Sequence, residues 1–200
     1  MKFYSFVRAV LTPFVRWFLR PRVTGKEKIP DKAGFIVCCN HQSMWDLFIL
    51  VIDFPFQVRF MAKKEIFEKP IPRWFCSKLG AFPVERGSGD KSAIKNAMDV
   101  LDAGSVLGIY PEGTRNRDGR PGKAKAGAAM LALNSGADIL PVAINYHGKP
   151  RLFGKKTLSY GEIIKNETLS GGAEKIGKTQ IREATNIIMG EITKLWEKDN

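Results

Sequence analysis

Short apolar runs alternate along this chain with stretches whose apolar residues recur at helical spacing, and that alternation constrains the fold more than any other feature. Phe35-Ile36-Val37-Cys38-Cys39 reads as a buried strand, and Leu47-Phe48-Ile49-Leu50 as part of a helix with Ser43 as a candidate N-cap. Val58-Arg59-Phe60-Met61 and Gly80-Ala81-Phe82-Pro83-Val84 are strand-like. Ile94, Ala97, Met98 and Leu101 then fall on one helical face, with Asp90 available as N-cap and Gly104 at the stop. Val106-Leu107-Gly108-Ile109-Tyr110 returns to strand, residues 126–134 form a small-residue helix ended by Gly136, and residues 139–144 form the next strand. Pro141 in that last run argues for a strand start or a sheet edge, because it cannot donate to a ladder. Strands joined by helices predict an α/β fold with a largely parallel central sheet flanked by helices, and ligands at the carboxyl ends of the strands. Residues 151–164 suggest a short hairpin, and residues 181–196 a final amphipathic helix.

Residues 1–22 stand apart from residues 23–200, which carry the α/β pattern as one domain. On a helical wheel Lys2, Ser5, Arg8, Thr12, Arg16 and Arg20 share one third of the circle, while Phe3, Tyr4, Val7, Val10, Leu11, Phe14, Trp17 and Phe18 occupy the opposite half. This is an amphipathic helix, with a kink expected at Pro13. Crossing a membrane takes about 20 mainly apolar residues, and the arginines interrupt this run, so the helix is expected to lie along a membrane interface. No small-residue cleavage pattern follows, which argues against secretion. A formal net charge of +12 implies an anionic partner, here an anionic membrane surface or an acidic substrate. No aromatic-interleaved or recognition-helix pattern points to nucleic acid. Cys38, Cys39 and Cys76 are odd in number and lack CxxC spacing, which fits reduced thiols on the cytosolic side. The expected location is the cytosolic face of the cell membrane, peripheral or monotopic. The apolar run at residues 44–56 is too short to span and suits a core helix or the wall of an acyl-chain pocket.

Chemistry concentrates where the strands end. Asn40-His41-Gln42-Ser43-Met44-Trp45-Asp46 joins a candidate base to a carboxylate that could orient it. On one continuous helix His41 and Asp46 would point about 140° apart. They can meet only if His41 lies in the turn before the helix, with Asp46 at its third position. The plainer alternative is an ordinary capping box, Ser43 with Asp46, beside a loop histidine. Glu85-Arg86-Gly87 follows another strand, and Glu112-Gly113-Thr114-Arg115 follows a third. A glycine lets backbone approach a ligand closely, and arginine offers a fork matched to phosphate oxygens. His41 and His147 have no partner at metal-ligand spacing, so neither a metal nor a cofactor is expected. His147, in a loop flanked by glycine and proline, reads as structural.

The segments 40–46, Phe82-Pro83-Val84-Glu85-Arg86-Gly87, Tyr110-Pro111-Glu112-Gly113-Thr114-Arg115 and Leu140-Pro141-Val142-Ala143 resemble the four ordered motifs of the glycerophospholipid acyltransferase family. The similarity is greatest to its bacterial 1-acyl-glycerol-3-phosphate (lysophosphatidate) acyltransferases, and it runs from about residue 23 to residue 144. The resemblance implies that His41 is a general base partnered by Asp46. It implies that Arg86, Glu112, Gly113, Thr114 and Arg115 bind the acceptor's glycerol phosphate, with Lys64 and Lys125 at further basic positions. It also implies a membrane-bound site and an acyl thioester donor, either acyl-coenzyme A or acyl-acyl carrier protein. Tyr110 stands where phenylalanine is commoner, and Asn116 where serine is common. A thioester is already activated, so no covalent intermediate is required, and no residue here reads as an activated nucleophile. Two alternatives remain open on sequence: the same chemistry on glycerol-3-phosphate or another lysophospholipid, and a non-enzymatic basic membrane-binding protein.

Overall fold

The computed structural model describes residues 2–52, 54–85, 90–116, 118–173 and 175–199. Its centre is a seven-stranded sheet in the order β1-β7-β6-β2-β5-β3-β4, formed by β1 (Arg22–Thr24), β2 (Ile36–Cys39), β3 (Val58–Lys63), β4 (Phe82–Val84), β5 (Val106–Ile109), β6 (Ile139–Asn145) and β7 (Thr157–Tyr160). Every neighbouring pair runs parallel except β6 with β7. The helices are α1 (Lys2–Phe18), α2 (Asp46–Val51), α3 (Pro70–Lys78), α4 (Lys91–Asp102), α5 (Gly127–Ser135), α6 (Asn166–Ser170) and α7 (Lys178–Lys198). The α/β fold with a largely parallel sheet and an N-terminal helix is therefore as expected.

Strand β2 explains why both faces are covered. All four of its residues are buried, so successive side chains must enter two different cores. Val37 and Cys39 pack with Ile49, Leu50, Phe54, Val15 and Leu19 on the side of α1 and α2. Ile36 and Cys38 pack on the other side with alanines and branched residues of α4, α5 and α7, among them Ala97, Ala128, Ala132, Ala184 and Ile188. Asp90 caps α4 as expected, accepting from the backbone N–H of Ser92 at 2.9 Å and Ala93 at 3.1 Å. Gly136, at φ 72°, closes α5.

Three expectations need correction. Pro141 lies neither at an edge nor at a strand start, because β6 is paired on both sides. Its missing N–H faces the end of β7. Between the pairs Val142↔Tyr160 and Ile139↔Ile164, β6 has two residues and the opposing chain three, which is a bulge. The carbonyl of Pro141 still accepts from Gly161 N–H at 2.9 Å. The hairpin assigned to residues 151–164 is instead formed by β6 and β7, and residues 151–154 only turn the chain toward β7. The apolar half of α1 is in fact two stripes. Tyr4, Val15 and Leu19 are buried against the core, whereas Phe6, Val10, Phe14 and Trp17 are exposed. Arg8, placed with the polar third, turns inward and donates to the Phe54 carbonyl at 2.7 Å.

The topology singles out one location. The connection leaving β2 runs through α2 to β3 on one side, and the connection leaving its neighbour β5 runs through α5 to β6 on the other. Adjacent strands whose exits diverge open a crevice at their carboxyl ends, the usual ligand position in open α/β sheets.

Candidate active site

Register alone brings the first two site residues together. Cys38 is paired with Ile109, so the residues three places beyond each, His41 and Glu112, leave the sheet side by side. The backbone N–H of His41 donates to Glu112 Oε1 at 2.9 Å, and the His41 carbonyl accepts from Asn116 N–H at 2.8 Å. Burial raises the proton affinity of the Glu112 carboxyl, and the backbone N–H groups of His41 and Gly122 oppose that rise.

His41 occupies the turn before α2, and its Nδ1 meets Asp46 Oδ2 at 2.8 Å. The same oxygen accepts from the backbone N–H of Gln42 at 2.7 Å and of Ser43 at 2.8 Å. Asp46 Oδ1 accepts from the Tyr146 hydroxyl at 2.6 Å. Asp46 is fully buried, and a buried carboxylate without partners would be prohibitively costly. Four donors supply that compensation. Only half of a capping box forms: Asp46 Oδ2 takes the Ser43 N–H, but Asp46 N–H goes to the Ser43 backbone carbonyl rather than to its hydroxyl, and the same Oδ2 meets the imidazole. Ser43 is not the expected cap, since α2 begins at Asp46 and its N-cap is Trp45; the Ser43 Oγ accepts from Trp45 N–H at 3.3 Å.

Two neighbours complete the support. Tyr110 lies nearly parallel to the His41 ring, with centroids 4.0 Å apart and planes 16° from parallel. Its hydroxyl is buried and has no hydrogen-bond partner among the described residues. Asn40 is buried and clamps β2 to β6, donating to the Ile144 carbonyl at 2.9 Å and accepting from Ile144 N–H at 2.7 Å. Sequence reasoning passed over Asn40 as a clamp and missed Tyr146 altogether. The available signal was position, since Tyr146 follows the buried run of β6 as His41 follows that of β2. Burial pushes the thiols of Cys38 and Cys39 up, which fits strand residues rather than nucleophiles. His147 is structural, its Nε2 lying 2.8 Å from Thr157 Oγ1.

With Nδ1 engaged, Nε2 is the ring nitrogen left for a reacting group. His41 lines a cavity of about 370 Å³ whose wall is mainly apolar, including Met44, Leu47, Phe48, Val51 and Phe60, together with Leu11 of α1. Arg115 lines the same cavity. Gly113, at φ 70°, lets the loop turn beneath Lys125, whose aliphatic stem and Nζ lie where a Cβ at residue 113 would project. Thr114, Arg115 and Lys125 are exposed. Lys64 is exposed on the turn after β3 and does not line the cavity, although its neighbour Lys63 does. Arg86 lies outside the described residues. Glu85 and Asp90, which flank that segment, are tied by a bond of 3.0 Å from Glu85 N–H to Asp90 Oδ2.

The profile of the acyltransferase family matches residues 20–145, more than half of the chain, and contains every residue of this site except Tyr146. The chain belongs to the acyltransferase family. It is 33% identical over 171 residues to the 1-acyl-sn-glycerol-3-phosphate acyltransferase of Bacillus subtilis, covering 82% of this chain and 84% of that one. It is 35% identical over 127 residues to the lyso-ornithine lipid O-acyltransferase of Pseudomonas aeruginosa, covering 62% of this chain and 47% of that one. In fold it is similar to the crystal structure of the 1-acyl-sn-glycerophosphate acyltransferase of Thermotoga maritima, with a TM-score of 0.70 at 24% identity, covering 97% of this chain and 81% of that one. The chain spans most of the Bacillus protein but about half of its chloroplast relatives, 57% and 47% of the two from Brassica napus and Arabidopsis thaliana.

Proposed function

We propose that this acyltransferase moves a fatty acyl chain from an acyl thioester to the free hydroxyl of 1-acyl-glycerol-3-phosphate, giving phosphatidate. The observation that carries this reading is a histidine whose Nδ1 is held by a buried, fully satisfied carboxylate and which opens onto an apolar cavity lined also by Arg115. His41 Nε2 takes the proton of the acceptor hydroxyl as its oxygen attacks the thioester carbonyl. Asp46 keeps Nδ1–H in place and stabilises the imidazolium that forms. The tetrahedral intermediate collapses with cleavage of the C–S bond, and the imidazolium returns the proton to the departing thiolate. The apolar cavity holds an acyl chain, while Arg115, Lys125 and Arg86 attract the phosphate, with Glu112, Gly113 and Thr114 shaping the loop that carries Arg115.

Peripheral attachment to a membrane belongs to the same reading. No helix among the described residues is long and apolar enough to cross a membrane. The exposed stripe Phe6, Val10, Phe14 and Trp17 is extended by Phe153, 68% exposed, whose ring lies 5.3 Å from that of Phe18. Arg16 and Arg20 flank the stripe, a combination suited to an interface with anionic headgroups. Because α1 also fills the core, its deletion would damage the fold, and point changes along the stripe are the cleaner probe.

Mass-spectrometric assay of the purified protein with lysophosphatidate and a panel of coenzyme A and acyl carrier protein thioesters tests the reading. The expected result is phosphatidate formed with at least one donor class. Absence of acylation with every donor would refute the acceptor assignment. Parallel assays with glycerol-3-phosphate and with lyso-ornithine lipid separate the neighbouring acceptor classes. The second is included because the chain is 35% identical to a lyso-ornithine lipid acyltransferase over 127 residues.

A further inference from the structure

Helix α3 has no buried residue. Ile71, Trp74 and Phe75 are nevertheless 79%, 55% and 38% exposed, and their spacing of three and four puts them on one face. A nine-residue helix is too short to be stable by itself in water and relies on burying an apolar side against something. Part of that cover comes from α1, since the ring of Phe3 lies 5.2 Å from that of Trp74 and 6.3 Å from that of Phe75, both edge-on. The rest of the face is open. Lys69, Arg73 and Lys78 surround it, all exposed, with the carboxylate of Glu68 at its start.

The position of this face matters as much as its composition. Cys76 and Leu79, at the end of α3, line the same cavity as Tyr4, Val7 and Leu11 of α1 and as His41. The two helices with exposed aromatic stripes therefore flank one opening that leads to the base.

We infer that α3 is a second membrane-docking element, joined to α1 through Phe3, and that lipid chains reach the cavity between the two helices. This rests on the membrane attachment proposed for α1. The occupant is a lipid bilayer carrying anionic headgroups. Aromatic rings beside lysine and arginine match the boundary between acyl chains and headgroups, where the rings enter the apolar layer and the cations stay with the phosphates. Docking through both helices presses the opening against the bilayer, so an amphiphilic acceptor moves from lipid to His41 without passing its chain through water.

The test uses the full chain and flotation with vesicles of phosphatidylethanolamine and phosphatidylglycerol. Four proteins are compared: wild type, I71S alone, the pair I71S/W74S, and the pair F14S/W17S on α1. Circular dichroism checks that each is folded. The pair on α3 is expected to lower vesicle partition about tenfold, and I71S alone a few-fold, given the apolar area withdrawn from lipid. Turnover of vesicle-embedded acceptor should fall in step, with turnover of a water-soluble short-chain acceptor unchanged. Wild-type partition by both α3 variants alongside a loss in F14S/W17S overturns the inference and leaves the attachment through α1 standing. Failure of the wild type itself to float removes both. A wild-type dimer in lipid-free solution that I71S converts to monomer assigns the face to a second copy of the chain, and also overturns the inference.

Discussion

The proposed base and the cations proposed to bind phosphate are built in opposite ways. Asp46 is fully buried and receives four donors, and its partner His41 is held by a side-chain bond, two backbone bonds and a stacked ring. Arg115, Lys125 and Lys64 are exposed, and no carboxylate among the described residues pairs with them. A base has to be aimed before substrate arrives, because misorientation of a ring nitrogen is lost directly from the transition state. A cation that receives a phosphate gains from staying unneutralised, since its field then remains available to draw the anion in. The carboxyl ends of β2 and β5 thus hold a rigid half and an open half.

That contrast predicts a graded set of losses. Replacing His41 with alanine should lower kcat about 10⁴-fold, the top of the range for a general base, with little change in stability because the ring lies at a cavity wall. Near-normal turnover by a folded variant would dismiss His41 as base. Asp46→Asn should cost roughly 10²-fold or more in kcat, and thermal unfolding should show lower stability as well, because a buried N–H donor then replaces an acceptor. An intact Tm would show that the four donors do not depend on the carboxylate. Arg115→Ala should act on the open half, raising acceptor KM about 10- to 100-fold, with lysine restoring it only in part. Loss confined to kcat would move Arg115 into the rigid half. Tyr146→Phe removes one of the four donors to Asp46 and should lower kcat by only a few-fold, with about 1–2 kcal/mol of stability lost in denaturant titration. The smallest effect belongs to Tyr110→Phe, which keeps the stacked ring and deletes a buried hydroxyl without a partner among the described residues. Activity should persist, and stability should rise by up to about 1 kcal/mol; a fall would reveal that the hydroxyl is bonded after all.

The rigid half was also the more legible one. Strand β2 announced itself by an unbroken apolar run, and the five-residue gap between His41 and Asp46 demanded a turn before a helix, which is what the chain forms. Tyr146 and the Asn40 clamp were out of reach of any local pattern, because their partners lie 100 and 104 residues away. Strand β1 is too short for alternation to show, and α3 carries two prolines and no buried face, so neither has the periodicity on which a sequence reading depends. The misplaced edge at Pro141 has the same origin. A proline signals a missing donor, but whether that donor would have met a strand or a bulge is decided by chain some 20 residues further on.

The contacts that assemble the His41 site also bear on when activity appears during folding. The bonds from His41 to Glu112, from Tyr146 to Asp46 and from Asn40 to Ile144 close separations of 71, 100 and 104 residues. Contacts so distant in sequence bear the greatest chain-closure entropy and tend to form late. A refolding chain should therefore regain helical signal well before turnover. Catalysis, rather than spectroscopic recovery, marks the moment at which β6, β2 and β5 have all found their register.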